Sequence, residues 1–187
     1  MTPGDMPETT GRKPVVRDLT PIRRPTTRVE AAALASAVRL RIIRLTFQRA
    51  LTNKEIARRL GKDPATSLYH VRKLVAAGFL AAQPARTGPR GSKEIPYLST
   101  GLSWRLRGGD GGHTEEINQA MLAAYLGEVA DAGIADVHQS RLVMQLDEAG
   151  RAEFVAKVVT LLEELATRRP DPDGQEIGLY VSWYPSG

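Results

Sequence analysis

The chain has 187 residues, of which 42% are apolar, 25% charged and 5% aromatic, enough to bury a core and to hold a small domain with a companion region. It contains no cysteine, which excludes disulfides, thiolate metal ligands, thiol redox sensing and cysteine nucleophiles. The net charge of +5 conceals a division into +2 over residues 1–30, +12 over residues 31–109 and −9 over residues 110–187, as in a polyanion reader joined to a module with another task.

Residues 1–28 hold five prolines among Thr, Gly and Arg, and such a composition cannot offset its ordering entropy by apolar burial. A mobile basic arm is expected, either a solvated tail or one whose cations touch phosphates. The opening MTPGDMPETTGRKP lacks the apolar core of a signal peptide, and no stretch approaches the roughly 18 to 20 apolar residues of a membrane helix. The expectation is a soluble, cytoplasmic protein with no membrane partner.

From Ala31 to about Gln48 the pattern is helical, with Ala31, Leu34, Val38, Ile42 and Leu45 on one side and Leu40, Ile43 and Phe47 on the other. A helix with two apolar stripes needs two packing partners. One is its own domain core; the other is either the C-terminal region or a second subunit. Thr52 and Glu55 then form a capping box that opens a short helix carrying Ile56, Ala57 and Leu60, which Gly61 ends. Asp63 and Pro64 start the next helix as N-cap and first helical residue, and Gly78 closes it. Two helices joined by so short a turn form a helix-turn-helix. Phe79–Pro84 and Ile95–Leu98 read as strands, and the cationic, turn-rich residues 85–94 between them read as the wing of a winged helix.

On the helix over residues 64–77, Leu68, Val71, Leu74 and Val75 share an arc and are expected to face the core. Opposite them, Thr66, Tyr69 and His70 are placed to meet base edges in a major groove, with Arg72 and Lys73 on bases or phosphates. Ser67 is counted among the contacting residues. In the wing, Arg86, Arg90 and Lys93 are candidates for a narrow minor groove or for phosphates. An ordinary solvated helix face is the plainer alternative for each residue taken alone.

The run from Thr66 to Leu80 (TSLYHVRKLVAAGFL), with Arg86–Gly91 (RTGPRG), Glu94–Tyr97 (EIPY) and Thr100–Trp104 (TGLSW) in order, resembles the winged helix-turn-helix of ArsR-type bacterial transcriptional regulators, particularly a group common in actinobacteria. The resemblance spans about residues 31–106. It implies a homodimeric repressor, often released from its operator by a small ligand or metal. The chain lacks the cysteines of the metal-sensing members, and Ser67 stands where the family usually has an apolar residue.

Residues 108–112 (GGDGG) form a flexible linker where the charge changes sign, the expected boundary between a reading domain over residues 29–107 and an acidic region over residues 113–187. In that region a helix capped by Thr114 is expected to run to about Asp131, with apolar residues from Ile117 to Val129 over a wide arc. A strand over Arg141–Leu146, a helix over Glu148–Arg168, a DPDG turn at Asp171–Gly174 and a strand centred on Ile177–Trp183 follow. The two strands could form a parallel pair across the helix. Dimerisation is the favoured use of this half, because a lone helix-turn-helix reads too few base pairs. An effector pocket built from Tyr125, Tyr180 and Tyr184 is the alternative, with plain core the blander reading of those rings.

His70, His113 and His138 are dispersed and lack metal-ligand spacing, DPDG lacks the later ligands of a calcium loop, and no nucleophile elbow or phosphate-binding loop is present. No metal, cofactor or enzymatic activity is expected. The sequence reads as a mainly α, small-β (α+β) winged helix-turn-helix regulator. It would bind double-stranded DNA at a palindromic operator as a homodimer, probing it through residues 64–77 and 85–94. A winged-helix module that docks an acidic protein, or a regulator whose C-terminal region holds a small-molecule effector, stands as the alternative.

Overall fold

The structure, a computed structural model, describes residues 23–107, 113–169, 171 and 173–185. Most of the expected arm, the linker over residues 108–112 and Pro172 of the DPDG turn lie outside the described residues. The fold is α+β, mainly helical with small sheets.

Part of the segment read as an arm is held in place. Strand β1 (Arg24–Pro25) pairs in parallel with residues 106–107, and the Arg23 guanidinium lies 4.5 Å from the centre of the Trp104 ring. Helix α1 (Arg28–Leu34) starts at a capping box in which Glu30 N donates to Thr27 Oγ1 at 3.3 Å and Thr27 N donates to Glu30 Oε2 at 2.8 Å. The Arg24 guanidinium donates to the same carboxylate at 2.8 Å. The Arg24 guanidinium above all, and then the Thr27 backbone and hydroxyl, hold the Glu30 carboxyl at a pKa of about 2.

The helix expected from Ala31 to Gln48 is broken in two. Ser36 is extended, with φ −159° and ψ 118°, and helix α2 (Ala37–Leu45) starts anew behind it. The broken end is satisfied from the next helix, because Arg39 donates to the carbonyls of Ala33 at 2.6 Å and Ala32 at 2.7 Å. These are terminal acceptors that α1 itself cannot pair.

Strand β2 (Leu51–Thr52) leads into helix α3 (Asn53–Leu60), which Gly61 ends in the left-handed conformation at φ 60°. Helix α4 (Pro64–Ala76) follows, with the Asp63 carboxylate accepting from the backbone N–H groups of Ala65 at 2.9 Å and Thr66 at 3.1 Å. Gly78, at φ 80°, turns the chain into strand β3 (Leu80–Ala82). The wing is strands β4 (Arg86–Thr87) and β5 (Lys93–Glu94), paired antiparallel across a short 3-10 turn. Strand β6 (Pro96–Ser99) pairs antiparallel with both β2 and β3, and strand β7 (Leu106–Arg107) completes the pair with β1.

Helices α1–α4 and the β2–β6–β3 sheet enclose one core, in which Ile42, Ile56, Val71, Leu74 and Phe79 are fully buried. Helix α5 (Thr114–Ala132) packs along α1 and α2. It buries Ala120 and Ala124, and Ile117 lies against the main core. Helix α2 therefore packs against both α4 and α5. Arg41 is paired with Asp131, and Arg44 with Glu128 at 2.9 Å. Thr114 is the first helical residue of α5 rather than its cap; His113 holds the cap position and makes no side-chain cap bond.

Helix α6 (Glu148–Thr167) forms as expected, its N-terminus capped by Asp147, but none of its residues is buried. The strands expected at Arg141–Leu146 and Ile177–Trp183 are not formed: both segments lack strand assignment, and the parallel pair is absent among the described residues. An isolated strand has no hydrogen-bonding partner of its own, so alternation of side chains without a neighbouring strand does not suffice. What holds the C-terminal segment is aromatic: Tyr180 stacks on Tyr125 at 4.7 Å and 16°, and Trp183 meets Phe154 edge to face at 5.8 Å.

Candidate nucleic-acid interface

The buried stripe of α4 runs through Ser67, Val71 and Leu74, at i, i+4 and i+7. It is rotated from the expected arc, so Val75 is 38% exposed. This corrects the assignment of Ser67 as a DNA contact. Its side chain is fully buried and its hydroxyl has no partner among the described residues, so it faces the core that Val71 and Leu74 fill.

The opposite side carries the remaining candidates. Tyr69 is 57% exposed, and Thr66, Arg72 and Lys73 are exposed around it. Lys73 Nζ lies 5.7 Å from the centre of the Tyr69 ring, close enough for a weak cation–π attraction that pre-orients both groups. His70 stands at the border of this surface, half-buried, with its ring edge-on to Tyr69 at 5.3 Å. Burial, with the charges of Arg39 and Lys62, holds its pKa below the usual histidine range. At neutral pH it is therefore an uncharged imidazole that can donate or accept. Its Nδ1 is shut from solvent and has no partner among the described residues.

In the wing, Arg86 departs from the expectation of a groove-seeking cation. Its guanidinium binds both carboxylate oxygens of Glu55 at 2.9 Å and lies 4.0 Å from Glu94. That charge is already partnered and fastens β4 to α3. Glu55 serves two structures at once, since it also closes the capping box by accepting from Thr52 N at 2.7 Å. These bonds hold its pKa below the ordinary carboxylate range, the Thr52 backbone being the largest cause. Lys93 is exposed. Arg90 lies in the 3-10 turn at the wing tip, and its side chain is outside the described residues.

Sequence reasoning passed over Lys62 and Arg39. Lys62 is exposed in the turn ahead of α4, and its charge acts on His70; a cation directly before the Asp63 cap was the available signal. Arg39 is half-buried with its guanidinium on the carbonyls of Ala32 and Ala33, and its charge also acts on His70.

A second polar feature lies between α2, α3 and α5. A cavity of about 330 Å³ is lined by Arg41, Arg44, Arg59, Glu128, Asp131 and Glu176 among others. Burial pushes the Glu128 carboxyl up and the Arg59 guanidinium down. The cavity is walled by two ion pairs, Arg41–Asp131 and Arg44–Glu128, and by Arg59, whose Nη1 is buried without a partner among the described residues; Tyr125 and Tyr180 close on each other instead of opening a pocket. No cluster of side chains suited to a metal ion occurs among the described residues, nor does any helix there reach the length and apolarity needed to cross a membrane.

Two capped helices joined by a short turn, the second with one polar face outward, and an adjacent β-hairpin define a winged helix-turn-helix domain. In agreement, residues 34–82 match the family model described as a Helix-turn-helix domain. No curated protein matches the chain. The domain supports a DNA-binding regulator of transcription.

Proposed function

We propose that the protein is a sequence-specific regulator of the ArsR type, a homodimeric cytoplasmic repressor that binds an inverted-repeat operator. The observation that carries this reading is the outward face of α4. Thr66, Tyr69, Arg72 and Lys73 are exposed on a helix whose other side is locked into the core through Val71 and Leu74. An α-helix fits a major groove, and hydroxyl, phenol, guanidinium and ammonium groups match base-edge donors and acceptors. Lys93 and the wing backbone would lie along phosphates or a minor groove and add affinity more than base identity. Release by a small ligand would act through the charged cavity between α2, α3 and α5.

Gel-shift titration on the chain's own upstream DNA at two salt concentrations tests this. Sequence-selective binding that weakens with salt is expected, with a slope of roughly −3.6 per subunit if about four phosphates are neutralised. Equal affinity for that DNA and for random duplex overturns the reading. Tyr69→Ala should reduce discrimination between duplexes by about 1 to 3 kcal/mol, whereas Lys93→Ala should weaken all duplexes alike and lower the salt slope by about one.

A further inference from the structure

The cavity between α2, α3 and α5 carries a charge imbalance that its ion pairs do not remove. Arg41 and Arg44 of α2 are matched one for one by Asp131 and Glu128 of α5. Arg59, in the last turn of α3, lines the same cavity and is not matched. Its Nη1 is buried without a hydrogen-bond partner among the described residues. Arg49 and Arg58 press their like charge on it. Two carboxylates oppose them, and Glu55 is already committed to Thr52 and Arg86. The other is Glu176, which lines the cavity from the C-terminal segment, is exposed and forms no ion pair among the described residues. A guanidinium in these surroundings suits an oxyanion, because its planar fork meets a carboxylate or phosphate with two parallel hydrogen bonds.

We propose that this cavity binds a small organic carboxylate, whose charged end takes Arg59 and whose body lies against Leu45 and Ala132. Its volume of about 330 Å³ falls at the lower end of the roughly 300–1,000 Å³ of ligand pockets, so the molecule is small. Leu45 and Ala132 supply apolar lining, which a bare inorganic anion would leave uncovered. Glu176 marks the same preference, being a carboxylate of the chain itself that acts on Arg59 from a segment with neither helix nor strand. That segment is fixed just beyond it. Gly178 lies so close to the Arg44 guanidinium that a side chain there would collide with it, and Tyr180 stacks on Tyr125. A ligand carboxylate therefore competes with Glu176 for Arg59 while both ion pairs stay closed. It ties α3 of the helix-turn-helix to α5 of the acidic half. This deepens the proposed release by a small ligand and rests on that reading for its regulatory meaning.

Calorimetric titration of the full-length chain with benzoate and with its neutral analogue benzamide is the test. Benzoate should saturate one site per chain and bind at least about tenfold tighter than benzamide. Equal affinities, or no saturable benzoate binding up to about 10 mM, overturn the proposal. Inorganic phosphate should bind at least about threefold more weakly than benzoate, since it covers no apolar lining; phosphate as tight as benzoate overturns the assignment to an organic carboxylate. Arg59→Gln should weaken benzoate at least about tenfold, and Arg58→Gln, at an exposed neighbour, less than about threefold. Equal losses indicate a diffuse cationic surface and overturn the site. If Arg59→Gln fails to fold, Glu176→Gln decides: removing the competing carboxylate should tighten benzoate about threefold, and unchanged or weaker binding overturns the proposal. Because the titrations are read without DNA, their failure is distinct from a failure of the gel shift.

Discussion

Residues 23–124 and residues 133–185 spend their apolar side chains in opposite ways. In the first stretch most large apolar side chains converge on one core, while Val29, Ile95, Met121 and Leu122 stay exposed beside the polar face of α4. In the second a helix of 20 residues forms without burying one of them. The contrast separates local from tertiary causes of structure. Capping by Asp147 and good helix formers suffice to write α6, whereas a strand exists only when another strand accepts its hydrogen bonds. The first stretch closes a core of its own, and the second leaves its apolar side chains half-buried or exposed.

Truncations in the two halves should therefore differ in size. Leu74→Ala, at a fully buried site, should lower unfolding stability by about 2 to 5 kcal/mol in a urea titration. Leu161→Ala should cost under about 1 kcal/mol in a dilute monomer; comparable losses would erase the distinction between the halves. Next in size is an acid effect in the first half. The folded-state pKa of Glu30 is lowered from 4.5 to about 2, so its stabilisation is present above pH 4.5 and is lost as the pH falls toward 2. Arg24 is half-exposed, so solvent screening reduces the effect to about 1 to 2 kcal/mol. Unfolding followed across that window should flatten in Glu30→Gln. Thr52→Ala removes the hydroxyl that accepts from Glu55 N and should cost about 1 kcal/mol in a thermal melt. The smallest effect has the opposite sign. Ser67→Ala deletes a buried hydroxyl without a partner and should leave stability unchanged or raise it by up to about 1 kcal/mol. DNA affinity should not change, whereas a loss of affinity would restore Ser67 to the reading surface.

What the sequence made legible follows the same division. The α3–turn–α4 unit was readable because its boundaries are local devices: the Thr52–Glu55 box, Gly61, the Asp63–Pro64 start and Gly78. The box at Thr27–Glu30 is the same device, but the prolines around it pointed to an arm, and its neighbour β1 depends on distant Leu106 and Arg107. The break at Ser36 was hidden in an alanine-rich run with good helical periodicity. Ser67 was misplaced because the buried arc of α4 is set by its packing against α2 and α3, which rotated the stripe away from Val75. Tyr69, Thr66, Arg72 and Lys73 were legible as an outward face from periodicity alone. The engagement of Arg86 with Glu55 was not, since 31 residues separate the two.

That ion pair has a consequence for how such a domain can vary. One acidic side chain both marks where α3 begins and grips the base of the hairpin, so the gap between the helix-turn-helix and the wing tip is gauged like the jaws of a calliper. Replacing Glu55 would blur the first turn of α3 and let the hairpin swing in the same step. The tip is unevenly free to vary: a Cβ at Gly88 would stand 2.5 Å from Glu94 Cδ, whose carboxylate lies beside Arg86, whereas Ser92 is exposed and bonds only locally to the Pro89 carbonyl.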